Sequence, residues 1–168
     1  LFVGDAGATE ASRRSKRNGI ELAAIWTPLK WLVIDADLAW SHSRFADADP
    51  AGNRIPGAVS RVASVGVAVE HPSGWFGGAR FRHFGSAPLI EDGSVRSDAT
   101  TLMNIELGYH VTSKVKATIA LFNVFDSRDN DITYFYESQL AGEAAPVGDM
   151  HFHPVEPRTA RLTLTSTF

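Results

Sequence analysis

The sequence contains no cysteine among its 168 residues. Without thiols, the chain has no disulfide framework, no thiolate zinc site, no iron–sulfur cluster and no cysteine nucleophile. It also has no excess of basic residues, because 16 Lys and Arg stand against 19 Asp and Glu and give a net charge of −3. A basic field that attracts nucleic acid is therefore missing, and nucleic acid is not an expected partner.

Long hydrophobic runs are absent as well. No stretch approaches the roughly 18 consecutive apolar residues that a membrane-spanning helix needs, and helical periodicity is scarce. A transmembrane β-barrel is not excluded, because its strands alternate apolar and polar side chains and so contain no long hydrophobic run. With 44% apolar and 21% charged residues, the chain is not a disordered one.

Period-two alternation is the dominant pattern. Between Leu102 and His110, apolar side chains at odd positions alternate with polar or small residues at even positions. Successive side chains of a strand point to opposite faces, so this pattern predicts a strand with one apolar side. The same reasoning predicts seven strands, at 17–27, 31–44, 59–70, 75–84, 101–110, 115–124 and 158–168. Most have about ten or more residues, as a tilted strand crossing a bilayer requires.

The connections alternate between short and long. Pro28–Lys30, His71–Gly74 and Val111–Lys114 are tight turns. Long polar loops are predicted between them, at 45–58, 85–100 and 125–157. Outer-membrane barrels have this asymmetry, with short periplasmic turns and longer extracellular loops. Aromatic residues near the predicted strand ends suit the girdles of such barrels: Trp26, Trp31, Trp40, Trp75, Phe84, Tyr109 and Phe168.

Seven charged side chains of the predicted strands have the parity opposite to the apolar positions. A cation facing lipid at the bilayer midplane costs about 2–4 kcal/mol, so these residues are expected to face the barrel lumen. They are Asp35, Asp37, Arg80, Arg82, Glu106, Lys116 and Arg161.

The odd strand number predicts a fragment, because single-chain bacterial barrels have even numbers with both termini in the periplasm. An eight-stranded barrel requires Leu1–Val3 to belong to a further strand. Such a small complete barrel could be an outer-membrane enzyme or an adhesin. A soluble lipocalin-like binder is the third alternative, with shorter strands and its apolar face turned inward.

Two segments near the C-terminus carry a resemblance to a known family. Ala120–Asp126 resembles the penultimate-strand motif of TonB-dependent outer-membrane receptors, and Pro157–Phe168 resembles their final strand. Ile55–Arg61 is similar to the entry into a strand after one of their extracellular loops. The resemblance implies an all-β, antiparallel up-and-down transmembrane barrel. A barrel of about 22 strands is expected, of which this chain supplies the C-terminal ones.

The resemblance also implies the function and the partners. These receptors lie in the bacterial outer membrane, among lipid and lipopolysaccharide, and take up ferric siderophores, haem, cobalamin or oligosaccharides. An N-terminal plug domain, absent from this sequence, fills the barrel and contacts TonB. The terminal residues Leu162, Leu164 and Phe168 resemble the signal that the barrel-assembly machinery reads.

The third long loop holds the candidate ligand-binding residues. Exposed aromatic side chains on loops often mark binding, and the run 133–137 is aromatic. The candidates are Tyr134, Tyr136, Glu137, His151 and His153. The two histidines fit a loop that lines a ligand entry better than a metal site, and Asp129–Asp131 lacks the rest of a calcium-loop pattern. No catalytic or cofactor motif is present, so an enzyme is not expected.

Overall fold

The computed structural model describes residues 2–3, 9–10 and 13–168, and the secondary structure in this part consists of β-strands. In the strands that the sequence predicts, the alternation of apolar and polar side chains favours extended backbone over helix. No helix of the described residues is long and apolar enough to cross a membrane. The strands are β1 (Phe2–Val3), β2 (Thr9–Glu10), β3 (Ser15–Leu29), β4 (Leu32–Phe45), β5 (Arg61–Glu70), β6 (Trp75–Phe84), β7 (Thr100–His110), β8 (Val115–Phe122), β9 (Asn130–Ser138), β10 (Val147–Pro154) and β11 (Thr159–Ser166).

Seven strands form one antiparallel sheet in the order β3-β4-β5-β6-β7-β8-β11. Each strand pairs with its neighbour in the chain until β8, which pairs with β11 because β9 and β10 leave the sheet as a separate hairpin. In the described part of the chain, β3 and β11 are the open edges of this sheet. The all-β, antiparallel up-and-down architecture predicted from the sequence is confirmed.

The two faces of the sheet differ sharply. We call the face that carries Ile20 and Leu162 the apolar face, and the opposite one the polar face. Ile20 is 72% exposed and Leu162 is 80% exposed, although both are large hydrophobic residues. Buried hydrophobic residues are limited, among the described ones, to Ala87, Leu89 and Ala120. A continuous exposed apolar face of this size is not stable in water, and it requires a lipid or protein covering. The lipocalin-like alternative requires a barrel that closes around this face, whereas the described sheet is open at β3 and β11.

Short turns join the strands at one end of the sheet. Lys30 and Trp31 connect β3 to β4, and residues 71–74 connect β5 to β6. The second turn closes through two backbone hydrogen bonds, from His71 N–H to Trp75 O and from Gly74 N–H to His71 O. Gly74 has φ +93°, which a residue with a Cβ rarely adopts. The long connections all lie at the other end.

Two segments differ from the sequence expectation. The region 125–157, predicted as one long loop, contains β9 and β10, which pair along eight positions. Both faces of this hairpin carry aromatic side chains, so it has no apolar–polar alternation that predicts strands. Residues Phe2–Val3 pair with Thr9–Glu10 and not with the large sheet, so they do not supply its eighth strand. Leu1 lies outside the described residues.

Candidate functional site

An ion pair crosses the middle of the polar face. Arg80 on β6 donates two hydrogen bonds to the carboxylate of Asp35 on β4, one of them 3.0 Å from Nη2 to Oδ1. β5 runs between these strands and has Gly66 at the crossing point. A Cβ on Gly66 would lie 2.5 Å from the Arg80 Cζ and from the Asp35 Oδ1. The absence of a side chain at Gly66 is therefore what lets the pair reach across a strand.

The register places all seven charged candidates of the strands on this polar face. Arg80 is opposite Asn104, and two residues further along β7 Glu106 is opposite Ala120, which is in turn opposite Arg161. The remaining charged residues are assigned to the polar face by their odd or even position in the strand, because alternate residues of a strand share a face. The set is Asp35, Asp37, Arg80, Arg82, Glu106, Lys116 and Arg161.

A buried asparagine fixes the point where β8 ends and the third long connection begins. Asn123 is 3% exposed and has φ 47°, the left-handed conformation that Asn tolerates better than most residues. Its Nδ2 donates to the carbonyl oxygens of Ser127 and Glu156, each at 2.9 Å. Its Oδ1 accepts from the Ser127 N–H at 2.9 Å. One side chain thus joins both ends of the 125–157 segment.

Arg158 approaches the carboxylate of Asp126 at 3.4 Å and adds a second connection at this base. Asp126 also has a positive φ, of 55°. The asparagine and aspartate of the motif Ala120–Asp126 therefore have a local structural role. They turn the chain out of the sheet and hold the returning strand beside it.

The other two long connections pack against each other. Arg54 N–H donates to Glu91 O and Gly57 N–H donates to Pro88 O, both at 2.8 Å. Leu89, in the second connection, is one of the few buried apolar side chains. These connections, residues 46–60 and 85–99, are therefore one ordered unit above the sheet.

Arg13 ties this unit to the start of β3. Its guanidinium makes hydrogen bonds to both Asp47 oxygens, to Glu91 Oε2 at 2.6 Å and to Gly52 O at 3.0 Å. It also lies 4.3 Å from the centre of the Phe45 ring. The hydrogen bond from Arg13 lowers the pKa of Asp47, and the same bond raises the pKa of Arg13.

The β9–β10 hairpin brings most of the predicted ligand residues to one face. Tyr134 is opposite His151, and Tyr136 is opposite Asp149. The Tyr136 and His151 rings stack in parallel, with centroids 3.8 Å apart and planes 10° apart. His153 shares this face by parity, whereas Glu137, opposite Gly148, lies on the other face.

A cavity of about 490 Å³ lies between β9 and the unit formed by the other two connections. Tyr134 and Tyr136 line it, whereas Glu137, His151 and His153 do not. Two bonds hold its floor against β7: Thr100 Oγ1 donates to Asn130 O, and Thr101 N–H donates to Asp129 Oδ2 at 2.8 Å.

Sequence reasoning missed several residues of this cavity, among them Phe84 and Asp98. The position of Phe84 at a strand end predicts that it belongs to a lipid-facing aromatic girdle. Phe84 shares parity with Arg80 and Arg82, however, so it lies on the polar face. Counting parity from the arginines could have identified it. Asp98 lies in a connection without periodicity, and no sequence signal marks it.

The described residues contain no group of three His, Asp or Glu side chains arranged to hold a metal ion. The Nε2 atom of His151 is buried without a hydrogen-bond partner in this part of the chain. The His151 ring stacks against the Tyr136 ring and supports it on one side.

An exposed apolar face, a polar opposite face and ordered connections at one end are the features of an arc of a transmembrane β-barrel. No family model and no curated protein matches the sequence, but several solved structures match the fold. The ferric yersiniabactin uptake receptor FyuA from Yersinia pestis aligns with a TM-score of 0.69 and 19% identity, over 92% of this chain and 24% of that one.

The ferric-catecholate import receptor Fiu from E. coli K12 aligns with a TM-score of 0.69 and 18% identity, over 98% of this chain and 23% of that one. The copper transporter OprC aligns with a TM-score of 0.64 and 20% identity, over 92% of this chain and 24% of that one. The chain thus spans about a quarter of the length of these proteins. It resembles the barrel of TonB-dependent outer-membrane receptors, and the structures it resembles are transport receptors, not enzymes.

Proposed function

We propose that this chain is part of the barrel wall of an outer-membrane receptor that imports a scarce ligand with energy from TonB. The observation that carries the proposal is the separation of the faces. Hydrophobic side chains that are mostly exposed cover one face, with Trp40 toward the long connections and Trp75 toward the short turns. This arrangement suits a lipid-facing surface with aromatic residues at both interfaces.

The polar face then lines the lumen, where a plug domain of the same full-length protein contacts it. The Asp35–Arg80 pair neutralises two charges on this wall, while Glu106, Lys116 and Arg161 supply further polar contacts. TonB acts on the plug from the periplasmic side.

The last strand of the described sheet, β11, fits recognition by the barrel-assembly machinery. Leu162 and Leu164 lie on the apolar face of β11, at 80% and 73% exposure, and Phe168 follows the strand. Because β11 is an edge strand of the described sheet, its unpaired backbone is accessible to a partner strand during insertion.

For the ligand, we infer a ferric siderophore that enters through the cavity beside β9. The cavity presents the Tyr134 and Tyr136 rings for stacking and the Asp98 carboxylate for hydrogen bonding. Stacked aromatic rings suit an organic iron chelate better than a bare ion. His151 stacks against Tyr136 and supports its ring, whereas His153 and Glu137 do not line the cavity.

The test uses cells that lack the intact receptor, complemented with wild-type or variant genes. The probes are ⁵⁵Fe as a ferric catecholate, ⁵⁵Fe as ferric citrate, and ⁶⁴Cu. We expect uptake of an iron chelate that a protonophore abolishes and that the Tyr134→Ala and Tyr136→Ala substitutions reduce at least tenfold. The matched control is Tyr109→Ala, at the far end of the apolar face, with the receptor level in the outer membrane measured in parallel.

Equal uptake in the complemented and receptor-lacking cells for every probe would refute a role in iron or copper import. Uptake of ⁶⁴Cu alone would move the assignment from a chelate to a metal ion. A wild-type receptor that does not fractionate with the outer membrane would remove the membrane assignment itself.

A further inference from the structure

The cations at the long-connection end of β3 and β4 are divided between the two faces of the sheet. Arg17 lies on the polar face and donates to Ser43 Oγ at 2.7 Å. Arg13 extends the same side and is bound by Asp47 and Glu91. Lys16 and Arg44 have the opposite parity and continue the apolar face beyond its hydrophobic part. The carboxylates of Asp47 and Glu91 therefore pair with Arg13, on the polar side.

Three outer cations form a row across neighbouring segments. Lys16 is opposite Arg44 in the β3–β4 ladder, and an isolated antiparallel bridge sets Arg54 opposite Arg44 on its other side. Residues directly opposite each other have Cβ atoms about 4.5–5.5 Å apart, and like charges in such pairs destabilise a sheet. All three residues are exposed. None of them forms an ion pair with a carboxylate within residues 13–168.

The row lies just above the aromatic level of the apolar face. Moving from the Lys16–Arg44 pair toward the membrane, the ladder passes Asn18–His42 and reaches Ile20–Trp40. Four residues of strand span about 13 Å, or about 10 Å along the axis of a barrel whose strands tilt by roughly 40°. Tryptophan marks the boundary of the hydrocarbon region, so the row lies at the depth of lipid head groups.

We propose that Lys16, Arg44 and Arg54 form a binding site for the phosphates of lipopolysaccharide in the outer leaflet. This inference rests on the proposed function, because it requires the long connections to be extracellular. Guanidinium groups bind phosphate through paired hydrogen bonds, and lysine adds a mobile charge. Lipopolysaccharide carries several phosphates on one molecule, so a single lipid can neutralise the whole row.

Its acyl chains then lie along the apolar face below. Ile20 and Leu22 continue downward from the row on β3, and both are more than half exposed. Arg61 is opposite Trp40 and offers one further cation at the lower margin of the site. The phosphates of one lipid can therefore contact the row of cations, while its acyl chains contact the apolar face directly below that row.

The experiment uses the intact receptor in detergent and measures binding of purified lipopolysaccharide. The test variant is Lys16→Gln with Arg44→Gln and Arg54→Gln. The control also removes three positive charges, through Arg17→Gln, Arg82→Gln and Lys114→Gln, which lie on the polar face or in the short turn at the far end. We expect the test variant to lose at least tenfold in affinity and the control to lose less than twofold.

The probes distinguish the sources of phosphate. Dephosphorylated lipopolysaccharide should bind the wild-type receptor as weakly as the complete lipid binds the test variant. Phosphatidylglycerol micelles and inorganic phosphate should compete poorly. Unchanged binding in the test variant, or equal binding of the dephosphorylated lipid, would overturn the proposal. Full competition by inorganic phosphate would instead show a simple anion site.

Two measurements keep the result interpretable. If the triple variant fails to fold, as shown by loss of the heat-dependent gel shift of barrels, Arg44→Gln alone removes the central cation and should give an intermediate loss. Fractionation of the wild-type receptor is measured first. Absence from the outer membrane refutes the proposed function, whereas outer-membrane location with charge-independent lipid binding refutes only this inference.

Discussion

Replacement of Asn123 by alanine should loosen the base of the 125–157 segment without unfolding the sheet. The substitution removes three side-chain hydrogen bonds, to the Ser127 carbonyl and N–H and to the Glu156 carbonyl. At about 1 kcal/mol each they contribute about 3 kcal/mol. Alanine at φ 47° adds about 1 kcal/mol of backbone strain. The expected total is about 4 kcal/mol of local stability.

The assay is trypsin cleavage of the intact receptor in outer-membrane vesicles. Arg128 and Arg158 flank the hairpin and are exposed. When opening and closing are fast, cleavage follows the population of the open form, and each 1.4 kcal/mol changes that population tenfold. Cleavage of Asn123→Ala should therefore rise by two to three orders of magnitude, up to the limit that full opening sets.

Two further variants separate the causes. Asn123→Gly tolerates the left-handed backbone and should be cleaved about fivefold more slowly than Asn123→Ala, since it lacks about 1 kcal/mol of strain. Asn130→Ala, at the start of β9, removes an amide that makes no side-chain hydrogen bond with the described residues and should match the wild type. If Asn123→Ala is cleaved at the wild-type rate, the side chain does not hold the segment and the reasoning fails.

Three other predictions concern the polar face, the loop unit and assembly. Gly66→Ala should displace the Asp35–Arg80 ion pair and lower the unfolding free energy in lipid vesicles by about 1 kcal/mol. In an Asp35→Ala background the same substitution should lower the unfolding free energy very little, and an equal loss in both backgrounds would exclude the proposed clash. The lowered pKa of Asp47 means that its pairing with Arg13 stabilises the loops above the ordinary carboxylate pKa of about 4 and is lost as pH falls through the lower folded value. Hydrogen exchange in residues 46–60, corrected for intrinsic rates, should accelerate below about pH 4 in the wild type and show no such step in Arg13→Gln. Deletion of Phe168 should reduce the amount of receptor assembled in the outer membrane severalfold, measured by surface labelling, and an unchanged amount would argue against its role as an assembly signal.

The strands of the large sheet could be predicted because alternation is a local property. The segment from Leu102 to His110 shows its two faces in its own residues, and the pairing of β7 with β6 and β8 preserves them. β9 and β10 escaped prediction for the converse reason. Phe135 and Tyr136 are adjacent and point to opposite faces, so the sequence offers no apolar–polar contrast there.

The candidate site was predictable only in part. The tyrosines of β9 attract attention because exposed aromatic residues on a loop suggest binding. The cavity beside them depends on contacts between connections that are distant in sequence, such as the hydrogen bonds from Gly57 to Pro88 and from Thr100 to Asn130. No local pattern encodes those contacts. The row of outer cations likewise needs the bridge between Arg44 and Arg54, which the sequence does not show.

The connections that Arg13 joins have a consequence for exchange of loops between related barrels. Its partners Asp47 and Glu91 come from two different connections, while Arg13 itself precedes β3. A graft of residues 46–60 alone would remove Asp47 and the carbonyl of Gly52 together, leaving the arginine with one carboxylate. Transplanted specificity should therefore require three separate pieces of chain to move as a set. In evolution, the same constraint would make these pieces change together and not one at a time.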